Sequence, residues 1–115
     1  MVFNVIARNC DDHTKNFSFL LPQGGNWTLA PTYDVCHAYR PGSEWVSQHA
    51  LSINGKRKNI TCEDLLVIGK SIGCKKAPDI VDEINTTVKL WKKFADEVQV
   101  HPRLRDEIGK THLNL

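Results

Sequence analysis

An apolar run, a turn and a returning run lie between two polar clusters early in the chain, and they constrain its fold more than any other feature. Phe17-Ser18-Phe19-Leu20-Leu21 has the aromatic, apolar character of a strand. Pro22-Gln23-Gly24-Gly25-Asn26 is a turn signal, and Trp27-Thr28-Leu29 is the returning strand. Paired glycines suit the positive φ of a two-residue hairpin loop. With Gly24 and Gly25 as the turn residues, Leu20 faces Leu29, Phe19 faces Ala30 and Asn16 faces Tyr33. Asp34, one residue further on, is then carried back beside Asn16. A one-residue slip would keep them neighbours but change the face each uses.

The residues brought together in this way carry chemistry. Asn9-Cys10-Asp11-Asp12-His13-Thr14-Lys15-Asn16 contains D-x-x-x-x-N, and Leu29-Ala30-Pro31-Thr32-Tyr33-Asp34 supplies a second aspartate. Phosphoryl transfer uses a carboxylate to orient the attacking hydroxyl, an amide oxygen for one magnesium, and a second carboxylate for metals that bridge the phosphates. Kinase catalytic loops hold the base and the metal-binding Asn at this five-residue offset. Asp and Asn also serve in ordinary turns by bonding local backbone, so the spacing gains its weight from the hairpin and the second aspartate. Asp12 is one position out of register for the base and reads as a solvated or loop-capping carboxylate. Lys15 either meets a phosphate oxygen as a point charge or balances Asp11 and Asp12. His13 reads as holding the loop by hydrogen bonds.

The pattern Asn-x-Asp-Asp-His-x-Lys-Asn-Phe-Ser-Phe, then Leu-Ala-Pro-x-Tyr-Asp, resembles the C-terminal catalytic region of HipA-like serine/threonine kinases. The sharp match covers residues 3–35, and to about residue 110 the likeness is one of pattern. His13, two residues after Asp11, is also similar to the D-x-H-x-x-N loop of phosphoinositide kinases. The HipA-like resemblance implies a bacterial, cytoplasmic protein kinase of the toxin–antitoxin type. Asp11 matches the family's catalytic Asp, and Asn16 and Asp34 match its metal ligands. Mg²⁺ and ATP are then the cofactors of the intact enzyme, a protein hydroxyl its substrate, and a HipB-like antitoxin its partner. The implied fold is mainly α with a small β-hairpin, a protein-kinase-like C-terminal lobe. Residues 1–35 would carry the catalytic loop and metal-binding hairpin, and 61–113 a helical subdomain. Two alternatives stand beside this reading: a lipid or small-molecule phosphotransferase of the kinase fold, and a non-catalytic remnant that binds a partner or oligomerises.

The nucleotide side of such an enzyme is not found in these 115 residues. There is no G-x-G-x-x-G loop and no strand lysine paired with a helix glutamate. Val2-Phe3-Asn4-Val5-Ile6 reads as the end of a buried helix, so the N-terminal nucleotide lobe is expected to be absent and the chain to be truncated. The isolated chain is then expected to be inactive, to hold neither ATP nor Mg²⁺ stably, and to form homo-oligomers through apolar surface at the cut and on the hairpin.

Hydrophobic and charged contents of 41% and 24% are near the globular average and predict a soluble intracellular domain. No run approaches the roughly 18 apolar residues of a membrane span, and the start lacks a signal-type pattern. Cys10, Cys36, Cys62 and Cys74 form no C-x-x-C pair and read as reduced thiols, not zinc ligands. A net charge of +2 is too small to argue for nucleic-acid binding. The C-terminal half reads as helical. Thr61 is the expected N-cap of a first helix with Leu65, Leu66, Ile68 and Ile72 inward and a stop at Gly73. A second helix opens near Pro78 and runs about five turns, its stripe being Ile80, Val81, Ile84, Val88, Trp91, Ala95 and Val98. Pro102 opens the last, with Leu104, Ile108 and Leu113 inward. Val35 to Ser52 reads mostly as loop. Within it Tyr39, Arg40 and Trp45 are candidates for substrate contact, with surface packing as the alternative. Ala50–Ile53 reads as a short strand and Asn54-Gly55 as a tight turn.

Overall fold

The computed structural model describes residues 1–115. The molecule is mainly helical with one small two-stranded antiparallel sheet. In chain order the elements are α1 (Val2–Ile6), a 3₁₀ turn (Thr14–Asn16), β1 (Phe19–Leu20), β2 (Thr28–Leu29), α2 (Cys62–Ser71), α3 (Ala77–Lys89), α4 (Trp91–Glu97) and α5 (Pro102–Gly109). No helix is long and apolar enough to cross a membrane.

The core forms where α1 meets α2 and α3. Val5 and Ile6 are completely buried; Val5 packs with Ile53, Ile60, Leu65 and Val81, and Ile6 with Ala7 and Val88. Gly69 lets α2 approach α3, since a Cβ there would lie 2.4 Å from that of Ala77. Helix α2 starts as expected. Thr61 accepts from the Asp64 N–H while the Asp64 carboxylate accepts from the Thr61 N–H, a reciprocal cap worth about 1 kcal/mol. Asp64 also receives Asn54 Nδ2 at 2.9 Å and Lys56 Nζ at 2.8 Å, which ties the Asn54-Gly55 turn to the helix. The C-terminal tail folds back over α1: the Leu113 N–H donates to the Ile6 carbonyl at 2.9 Å, and Leu113 and Leu115 pack on the core.

Several expectations about the helices are corrected. The long second helix is two, α3 and α4, meeting at Leu90, where the N–H bonds back three residues to Thr87 instead of four. The bend lets the Trp91 indole N–H reach the Arg105 carbonyl at 2.8 Å and dock α5. It also ends the stripe: Val98 is 74% exposed, while Ala95 stays fully buried. Ile72, which caps the end of α2 beyond its last turn, and Leu104 on α5, a helix with no buried residue, are exposed, contrary to expectation, and so is Ile80 on α3. Asn85, which no apolar pattern marks, is buried and bonds the Leu115 backbone. Ala50–Ile53 is no strand: Ile53 and Lys56 exchange backbone bonds of 2.8 and 2.9 Å around the Asn54-Gly55 turn, a single bridge.

The hairpin register also differs. Phe19 pairs with Leu29 and Leu20 with Thr28, one residue away from the expected pairing. The turn is not centred on Gly24-Gly25. The Gly25 N–H donates to the Pro22 carbonyl at 3.0 Å, so Gln23 and Gly24 are its central residues, with Gly24 at φ +71°. Two residues, Leu21 and Pro22, stay unpaired before that centre and three, Gly25–Trp27, after it, and this imbalance leaves every facing pair shifted by one.

Candidate active site

The segment Arg8–Asp12 leaves α1 through a left-handed Arg8 (φ 60°) and is bonded along both edges. On one edge the Cys10 N–H donates to Ala38 and the Ala38 N–H to Arg8, at 3.0 and 3.1 Å. On the other the Ala50 N–H donates to the Cys10 carbonyl at 3.0 Å. Segments remote in sequence therefore fix the loop that carries Asp11. The 3₁₀ turn then returns Asn16 to it, and Asn16 Nδ2 donates to the Asp11 carbonyl at 2.9 Å. This orients the Asn16 side chain and leaves its Oδ1 as a free acceptor.

Asn16 and Asp34 line one cleft of about 410 Å³, together with Asn4, Asn9 and Asp12. Despite the slipped register, the hairpin carries Asp34 back to Asn16. Two further bonds hold the return: Tyr33 Oη donates to the Lys15 carbonyl at 2.7 Å, and Asn9 Nδ2 donates to the Asp34 carbonyl at 3.3 Å. Asp34 itself adopts φ 53°, a conformation Asp tolerates better than most residues. The Asp11 side chain is half-exposed and not part of the cleft lining. Both carboxylates nevertheless act on the Cys36 thiol, which partial burial and then the charges of Asp34 and Asp11 push up from its ordinary value.

The other residues singled out in the sequence fall as follows. His13 Nε2 lies 3.9 Å from Asp11 Oδ1, and its Nδ1 is buried without a partner. Its side chain therefore makes no hydrogen bond, and the expected hold on the loop comes from its backbone carbonyl, which accepts the Asn16 N–H at 3.0 Å. The Lys15 side chain is exposed; its backbone carbonyl is the part that is used. Tyr39 lies beneath the Arg8 guanidinium, 3.6 Å from the ring centroid, a cation–π packing contact. Arg40 and Trp45 are exposed, Trp45 at 77%, and none of Tyr39, Arg40 and Trp45 lines the cleft.

Asp12 is the main surprise. It is 3% exposed, so the solvated reading is corrected and it caps a distant loop. Oδ1 accepts from the Ala50 and Leu51 N–H groups at 2.8 and 3.3 Å, and Oδ2 lies 3.0 Å from Nδ1 of the fully buried His49. Burial alone would lower the His49 pKa, but the hydrogen bond and charge of Asp12, with Cys10 alongside, raise it to about 9. Burial would raise Asp12, yet the same pairing and the two N–H groups hold it below its ordinary value. His49 lies 37 residues from Asp12 in an irregular segment, and nothing local in the sequence marks it.

The four cysteines are unpaired, and no group of three or more His, Cys, Asp or Glu side chains could hold a metal ion. Among the oxygen-bearing side chains that line the cleft, the Asn16 amide and the Asp34 carboxylate could hold a metal. This hard donor set suits magnesium, which normally keeps water or phosphate oxygens in most of its shell.

Comparison with curated proteins and with solved structures gives no match. The model of the HipA-like C-terminal domain matches residues 1–108, which include the Asp11–Asn16 loop, the hairpin and all the helices but the last residue of α5. The chain belongs to the HipA-like C-terminal domain family.

Proposed function

We propose that this chain forms the catalytic-loop side of a serine/threonine protein kinase of the toxin–antitoxin type, with a protein-kinase-like C-terminal lobe and a cytoplasmic site of action. The observation that carries the reading is that Asn16 and Asp34 face one cleft while Asn16 is bonded to the backbone of Asp11. Asp11 would orient the substrate hydroxyl and accept its proton. The hydroxyl oxygen forms the new bond to the γ-phosphorus as the bond to the ADP oxygen breaks. Asn16 and Asp34 would hold Mg²⁺, which when bound neutralises charge on the phosphate oxygens. Lys15, exposed beside Asn16, would meet a phosphate oxygen. A HipB-like antitoxin would be the partner of the intact enzyme.

The metal assignment is tested on the chain itself. Titration with Mn²⁺ should broaden the NMR signals of Asn16 and Asp34 selectively, with weak affinity because phosphates normally complete the shell. Asp34→Ala should abolish that broadening. Binding unchanged in this variant would refute the assignment.

A second reading, a binding module, is favoured by the hairpin: Phe19, Leu20, Leu21, Trp27 and Leu29 are all more than half exposed. Exposed apolar clusters tend to mark association sites.

A further inference from the structure

We propose that Asp12 and His49 are positioning residues for the catalytic loop, setting where Asp11 and Asn16 stand; this rests on the phosphotransferase reading of those two residues. Asp12 follows Asp11 directly and has no freedom of its own. Its two carboxylate oxygens take three bonds, from the N–H groups of Ala50 and Leu51 and from the His49 ring, three consecutive residues of which His49 is fully buried and the other two half-buried. That segment is fixed in turn. The His49 N–H donates to the Arg57 carbonyl at 2.8 Å, Arg57 Nε donates back to the His49 carbonyl at 2.6 Å, and Lys56 reaches Asp64 at the start of α2. A continuous chain of bonds thus runs from the α2 cap through residues 56–57 and 49–51 to the residue beside Asp11. The bond from Asn16 Nδ2 to the Asp11 carbonyl extends it to the metal-facing amide. The Asp11 side chain, half-exposed, takes no hydrogen bond that could aim it, so its direction is set through its backbone.

The charge and the acceptor atoms of the side chain matter here. Replacing Asp12 by Asn keeps an Oδ1 acceptor for Ala50 and Leu51 but removes the charge opposite His49. Replacing it by Ala removes all three bonds. A filler of the core would give the same result for both as long as the fold survived, whereas a positioning residue should grade them.

The test uses the whole 115-residue chain without metal. The probe is hydrogen exchange of the Asn16 side-chain amide, with the Trp91 indole N–H as a remote control because it donates to Arg105. In Asp12→Ala the Asn16 amide should exchange roughly tenfold faster and shift, while Trp91 stays protected. Asp12→Asn should restore most of the protection, and His49→Gln should fall between. An Asn16 amide unchanged in a folded Asp12→Ala variant overturns the proposal. Should Asp12→Ala fail to fold, the two milder variants decide in the same way. Loss of Asn16 and Trp91 protection together in all three also overturns it, since the pair is then only part of the core. The phosphotransferase reading fails separately, if Mn²⁺ leaves Asn16 and Asp34 untouched in the wild-type chain.

Discussion

Asn9 donates from one side-chain nitrogen to the Asp34 carbonyl and to Asn4 Oδ1, at 3.3 Å each, and so joins the loop that carries Asp11 to a residue 25 positions away. Asn9 is 3% exposed. Its two amide hydrogens serve two acceptors, one in the middle of α1 and one at the point where the chain leaves the hairpin. The bond holds the backbone of the second proposed metal ligand, in a left-handed conformation, against the segment that carries the first.

Asn9→Ala should therefore lower stability by about 1–3 kcal/mol, the usual cost of stranding a buried hydrogen-bond partner. It should also weaken Mn²⁺ binding, since Asp34 loses its tether. Chemical denaturation gives the first quantity and relaxation titration the second. Unchanged metal affinity in a destabilised variant would separate folding from site geometry.

The Asp12–His49 pair predicts a pH dependence whose sign follows from its two shifts. His49 binds its proton more tightly folded, with a pKa of about 9, than unfolded, at about 6.5. Its contribution is complete below about pH 6.5 and is lost as pH rises through 9. Asp12 is shifted down, so its contribution is present above about pH 4 and lost on acidification. From this pair, stability should be greatest between about pH 4 and 6.5 and fall by up to roughly 3 kcal/mol towards pH 9. His49→Gln should flatten the alkaline limb in urea unfolding curves. An equal alkaline fall in that variant would assign the effect elsewhere.

The purified 115-residue chain should show no protein kinase activity. Phosphoryl transfer depends mostly on positioning, and the sequence contains no glycine-rich loop to fix ATP for in-line attack. The check is incorporation of radiolabelled phosphate into a generic protein substrate. Turnover that disappears in Asp11→Ala would disprove the inactivity and at once establish the base.

Self-association is expected through the hairpin. Phe19 and Trp27 are 61% and 66% exposed, and covering apolar area is worth about 25 cal/mol per Å². Light scattering at tens of micromolar should show a dimer. Phe19→Ser with Trp27→Ser should return it to monomer with the helical circular dichroism intact. A monomeric wild-type chain would exclude this surface as a contact between copies.

The sequence by itself determined what depends on local physics. The Thr61 cap, the proline-led starts of α3 and α5, the stop at Gly73, the buried end of α1 and the existence of the hairpin all rest on interactions within a few residues. So does the arrangement of Asp11 and Asn16, which are five residues apart and share one bond. The convergence of Asp34 with Asn16 was also legible, because a hairpin folds back whichever register it takes. The register itself was not: it depended on where the turn is centred and on how many residues stay unpaired on each side of it, a choice the flanking apolar residues do not settle when both faces are exposed. Tertiary structure alone decided the rest. The α3–α4 break exists to dock Trp91 on α5, the burial of Asn85 follows from the returning tail, and Asp12 is buried because His49 arrives from 37 residues away. A charged side chain leaves water only where a partner meets it, and no local pattern records where a distant partner will be.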